Sequence, residues 1–106
     1  MEKDKIYIEE IKEFCEKIIA FTIGLDLEQF SHDEKLQLAL VKLIENIGEA
    51  SKRLSEESRK AYPGVDWKKA VAMRDRLVHD YMDIDLAIVF DVAMHEVPLV
   101  LENLLT

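Results

Sequence analysis

The segment Leu36-Gln37-Leu38-Ala39-Leu40-Val41-Lys42-Leu43-Ile44-Glu45-Asn46-Ile47-Gly48-Glu49-Ala50 decides the fold class. Within it Leu36, Leu40, Leu43, Ile44 and Ile47 return every three or four residues, with Leu54 continuing the row, and that interval places them on one face of an α-helix. Small residues at Ala39, Gly48 and Ala50 leave room for a second helix to come close. The period-two alternation of a strand is not sustained over a useful length anywhere in the chain.

Working outward, Ser31 followed three positions later by Glu34 reads as a capping box that opens this helix. Upstream, Ile8, Ile11, Phe14, Cys15, Ile18, Ile19 and Thr22 form the apolar face of a first helix over about Lys3 to Ile23, with Gly24 as its stop. Downstream, Ser55, Ser58 and the Glu56-Glu57 pair start a short third helix that Pro63-Gly64 ends. Asp66 is placed to cap a fourth helix from Trp67 to about Asp80. After a joint at Met82-Asp83-Ile84-Asp85, the row Leu86, Val89, Phe90, Ala93, Val97, Leu101 and Leu104 marks a fifth helix, which Pro98 should kink. The expected architecture is all-α, a four-helix up-and-down bundle with one additional short helix, in a single domain over residues 1–106.

Composition agrees. The 106 residues fit one core, burying roughly 60–70% of the unfolded chain's surface. Only 3 Gly and 2 Pro leave little room for irregular connections. The longest apolar stretch near the start, Ile18 to Leu25, is broken by Thr22 and Gly24, so neither a membrane span nor a signal peptide is expected. The lone Cys15 lies in a helical pattern, reads as a buried free thiol, and fits a reducing cytoplasm.

A net charge of −8 weighs against nonspecific polyanion binding, which depends on Lys and Arg neutralising phosphates. Any chemistry on RNA therefore needs a local basic spot, and Lys68, Lys69, Arg74 and Arg76 supply one against the single acid Asp75. The segment Arg74-Asp75-Arg76-Leu77-Val78-His79-Asp80-Tyr81 joins a permanent cation, an imidazole and a phenol. On a continuous helix Asp75 and His79 share a face, so the carboxylate can fix the imidazole tautomer. Arg74 and His79, five apart, diverge by roughly 140° on an ideal helix, so two copies meeting at a dyad would be needed to converge both groups on one phosphate. The plain alternative is that this Arg/Asp/His face only solvates a helix.

His32 and His95 lack a Glu three residues before them, which leaves a carboxylate-bridged metal pair unsupported, and His95-Glu96 has no second His at zinc-protease spacing. Both read as surface or helix-end histidines. Glu45 and Glu49 share a face as a paired-carboxylate candidate, with a solvated stripe or an Arg partner as the simpler reading.

Arg74, His79 and Tyr81 match the R-x4-H-x-Y pattern, with Asp75 as the polar residue after the Arg. Together with Glu45-Asn46-Ile47-Gly48-Glu49-Ala50, Trp67, Met73 and the Asp83 to Leu101 segment containing Pro98, the chain resembles the HepT-like branch of the HEPN superfamily over most of its length. The resemblance implies a homodimeric toxin, a metal-independent endoribonuclease that needs no cofactor. It implies Arg74 and His79 as the catalytic pair, Asp75 as orienting residue with Arg76 and Glu49 in support, and RNA as substrate. It further implies a minimal nucleotidyltransferase antitoxin as partner, with Tyr81 as the site that partner adenylylates. The competing expectation is a noncatalytic helical module that binds, or presents substrate to, a nucleotidyltransferase.

Overall fold

The computed structural model describes residues 2–80 and 83–105, and at 78–80 the backbone only. The first helix, α1, spans Glu2–Thr22 and buries Ile8, Ile11, Cys15 and Ile18. Its end is fixed locally: the Thr22 hydroxyl donates to Ile18 O at 2.8 Å, and Gly24 takes a positive φ of 71° that side chains disfavour.

The next start signal lies elsewhere than at Ser31 and Glu34. Asp26 and Gln29 form the capping box, and they open a short helix, α2, at Leu27–Ser31. Ser31 sits in its last turn, with its hydroxyl donating to Glu28 O. Asp33 then caps α3, Glu34–Lys52, by accepting from Leu36 N–H at 3.1 Å. Two carboxylates in succession outcompeted the Ser-x-x-Glu reading, because each reaches a free N–H three residues on. The bundle therefore carries two short helices, α2 and α4, where one was expected.

Ser55 caps α4, Glu56–Ala61, as its sequence implies. Asp66 accepts from Lys69 N–H and starts α5, Trp67–Leu77. The entry into α5 is held by the Trp67 indole N–H, which donates to Arg59 O at 3.0 Å and Tyr62 O at 3.2 Å. This helix ends at Leu77, three residues short of the expected Asp80. Val78–Asp80 is extended as β1 and pairs antiparallel with β2, Asp83–Ile84, and Asp85 N–H donates to Leu77 O at 2.9 Å.

Asp85 caps the last rod by accepting from Ile88 N–H. It runs as α6, Leu86–Asp91, through a wider π turn at Val92–Glu96, into α7, Val97–Leu105. Pro98 explains the π turn: it has no N–H to give, and its ring would crowd the carbonyl four residues back. The chain accommodates it by lengthening one turn, with Val97 N–H donating to Val92 O five residues back.

Four rods thus pack as α1, α3, α5 and α6–α7. Asp4 in α1 reaches Ser55 beyond α3, Arg74 lies near Glu45, and Arg76 meets Glu96, so successive rods run in opposite directions. Among the described residues the core is one continuous cluster, including Ile11, Ile18, Leu40, Ile44, Ile47, Met73, Leu77, Val89, Val92 and Val97. Each such side chain contributes roughly 1.5–3 kcal/mol on burial. Phe30 of α2 plugs one end against Phe90 of α6, ring centroids 5.6 Å apart. Among the described residues, no helix is long and apolar enough to cross a membrane.

Candidate active site at the end of α5

The residues from Arg74 onward sit where α5 gives way to the β1–β2 pair. Trp67, Ala70, Met73 and Leu77 bury one side of α5, which turns Arg74 and Arg76 to opposite flanks, since two residues rotate by roughly 200°. Arg74 faces α3. Arg76 faces α7.

The two arginines differ in how firmly they are held. Arg76 Nη1 and Nη2 donate to Glu96 Oε1 and Oε2 at 2.7 and 2.9 Å, a bidentate pair on a carboxylate that is only 15% exposed. These hydrogen bonds raise the Arg76 pKa above its ordinary value, against the opposing effect of burial. Lys69 Nζ joins the same carboxylate at 3.6 Å. Among the described residues Arg74 has only long contacts, Nε to Glu45 Oε2 at 4.0 Å and Nη1 to Asp75 Oδ1 at 3.7 Å, and its side chain is 54% exposed. It is the cation at this end of α5 that a phosphate can reach without breaking a close pair.

The basic spot expected from Lys68, Lys69, Arg74 and Arg76 is therefore divided between two flanks, and Glu96 neutralises much of one. Glu49 is exposed on α3; among the described residues the carboxylate of a neighbouring rod that approaches Arg74 is Glu45, and the one that meets Arg76 is Glu96. Asp75 is exposed and lies beside Arg74. Because α5 stops at Leu77, Asp75 and His79 are not four residues apart on one helix, and the tautomer argument built on that spacing does not apply. The backbone of His79 lies in β1, while its side chain and the whole of Tyr81 fall outside the described residues.

Sequence reasoning missed Glu96 and gave Glu45 only a general role. Glu96 is 20 positions from Arg76, and its approach depends on the π turn that Pro98 imposes, so only Pro98 hinted at it. His32 is exposed at the end of α2, and His95 is exposed with Nδ1 3.0 Å from Asp91 Oδ1. Among the described residues, no group of three or more His, Cys, Asp or Glu is placed to hold a metal ion.

Comparison with known proteins gives this geometry its family. The model of the family described as "Ribonuclease HepT-like" matches residues 11–105. The chain is 34% identical over 94 residues to "Probable ribonuclease HepT" of Thermococcus cleftensis, covering 89% of this chain and 86% of that protein. It is 36% identical over 98 residues to a protein of Caldanaerobacter subterraneus subsp. tengcongensis named "Putative RNase", covering 92% of this chain and 88% of that one. A protein of the same name in Methanocaldococcus jannaschii is 34% identical over 94 residues, covering 89% and 78%. No solved structure gives a significant match. With the family model spanning all but the first turns of α1, the chain belongs to the ribonuclease HepT-like family.

Proposed function

We propose that this protein is a metal-independent endoribonuclease, the toxin of a pair whose antitoxin is a minimal nucleotidyltransferase. The observation that carries the reading is Arg74: in a chain of this family, an exposed guanidinium whose ion pairs among the described residues are long stands where the fifth helix hands over to the segment carrying His79. A guanidinium so placed binds a phosphate diester by paired N–H bonds and offsets the charge that builds on its oxygens during attack.

In the proposed reaction the ribose 2′-hydroxyl gives its proton to a His79 imidazole and attacks the adjacent phosphorus. The bond to the 5′ oxygen breaks, and that oxygen takes a proton from a second imidazole, leaving a cyclic phosphate and a free 5′-hydroxyl. Two imidazoles and two guanidinium groups are available when two copies of the chain line one cleft, which is why the working form is read as a homodimer. Asp75 and Glu45 hold Arg74 until RNA replaces them. Adenylylation of Tyr81 by the partner would add an anion beside the same cations and exclude the RNA phosphate, silencing the toxin in the cytoplasm.

The test compares wild type with His79→Ala for cleavage of total cellular RNA in chelator, with analysis of the ends produced. Cleavage confined to wild type and leaving cyclic phosphate ends supports the reading. Identical behaviour of the two proteins sinks it and favours a noncatalytic module that presents substrate to a nucleotidyltransferase.

A further inference from the structure

We propose that Glu96 is a positioning residue of the active site, acting through Arg76 to hold the last turn of α5 at the angle from which Arg74 and His79 work. The proposal rests on the nuclease reading above. Its physical basis is that, among the described residues, three attachments hold the end of α5, and they are unequal. Leu77 is fully buried and its carbonyl accepts from Asp85 N–H, which fixes the depth of the helix end. The Glu45 contact on the α3 flank is long and its partner exposed. The Arg76–Glu96 pair on the other flank is short, two-pronged and partly shielded, and it opposes rotation of that turn about the helix axis.

Rotation matters because Arg74 lies on the opposite flank from Arg76. Turning Arg76 away from Glu96 turns Arg74 by the same angle and tilts the start of β1, whose first residue Val78 is bonded directly to Leu77 and paired with Ile84. The anchor is itself preset by sequence. Pro98 forces the wide turn at Val92–Glu96, and that turn is where Glu96 leaves the rod toward α5. Lys69, reaching Glu96 Oε1 at 3.6 Å, adds a second cation that helps hold the carboxylate in place.

The test is a double-mutant cycle on the full chain: wild type, Glu96→Ala, Arg76→Ala and both together, assayed well below their melting temperatures on a short RNA in chelator. Expected is a fall in kcat of about 10- to 100-fold in each single variant, with KM within about threefold of wild type. The double variant should be no worse than either single one, because the two side chains act as one unit. Glu96→Gln, which keeps the shape and an acceptor oxygen, should lie between Glu96→Ala and wild type, and it stands in if an alanine variant fails to fold. Backbone amide shifts at residues 74, 75 and 78–80 should move in Glu96→Gln. A wild-type kcat in Glu96→Ala overturns the proposal, as does a Glu96→Ala loss much larger than that of Arg76→Ala, which would mean a direct role. If wild type itself cleaves no RNA, the nuclease reading fails separately, and the amide shifts decide the anchor: spread to 74, 75 and 78–80 upholds it, and confinement to Arg76 and residues 92–97 overturns it.

Discussion

Arg74 Nε lies 4.0 Å from Glu45 Oε2, across from α3, on the opposite side of α5 from the bidentate Arg76–Glu96 pair. Two arginines separated by one residue are thus expected to fail differently. Arg74→Ala should lower RNA cleavage by about 100-fold or more, as loss of a charge-stabilising donor does. It should change unfolding free energy by less than about 1 kcal/mol, since its ion pairs are long and exposed. Arg76→Ala should destabilise by about 1–3 kcal/mol, because it strands the partly shielded Glu96 carboxylate. Urea unfolding of the two variants beside their cleavage rates checks this; equal stability losses would remove the distinction.

The sequence carried the rods well because each has a long apolar row: Ile8 to Ile18 in α1 and Leu40 to Ile47 in α3 are buried as their spacing demands. It carried the caps at Ser55 and Asp66 but not the starts of α2 and α3, where Asp26 and Asp33 take the free N–H groups in place of Ser31. The end of α5 was misread because nothing local stops a helix at Leu77. The stop comes from pairing of Val78–Asp80 with Asp83–Ile84 and from the Asp85 to Leu77 bond, contacts set by the return of the chain. At the site, residue types were legible and partnerships were not, since Glu96 reaches Arg76 only through the turn at Pro98.

The α3–α5 approach that orients Arg74 depends on Gly48. A Cβ there would lie 3.3 Å from Val71 O and 3.5 Å from Ala70 O, both backbone atoms that cannot rotate aside. Gly48→Val should push the helices apart and destabilise by about 1–3 kcal/mol, the usual range for overpacking. It should also reduce cleavage by disturbing the Glu45–Arg74 side of the site. Wild-type melting behaviour in Gly48→Val would show that the interface has slack.

Asp4 accepts from Ser55 N–H at 3.2 Å and from the Ser55 hydroxyl at 2.8 Å, so α1 braces the residue that caps α4. The hydroxyl bond is the main reason the Asp4 pKa is lowered from the ordinary 3.8. A lowered carboxyl pKa adds stability that is present above the unfolded value and is lost as pH falls through the folded one. Wild type should therefore lose this contribution below about pH 4, while Asp4→Asn should be less stable at neutral pH and show a shallower acid decline. Parallel acid unfolding curves for the two proteins would count against the brace.

Cys15 is fully buried among the α1 core residues, and burial, with a smaller effect from Glu16, pushes its thiol up to about 12. At pH 8 such a group is ionised in roughly one molecule in ten thousand, and a thiolate is what disulfide reagents need. Native protein should therefore react with an aromatic disulfide reagent only through transient opening, over hours, whereas urea-unfolded protein should react within minutes. The native rate should rise with urea in step with global unfolding, because α1 packs on both α3 and α7 and has no way to expose Cys15 alone. Rapid stoichiometric labelling without denaturant would mean that α1 detaches from the bundle locally, and the brace between Asp4 and Ser55 would then be the first contact to suspect.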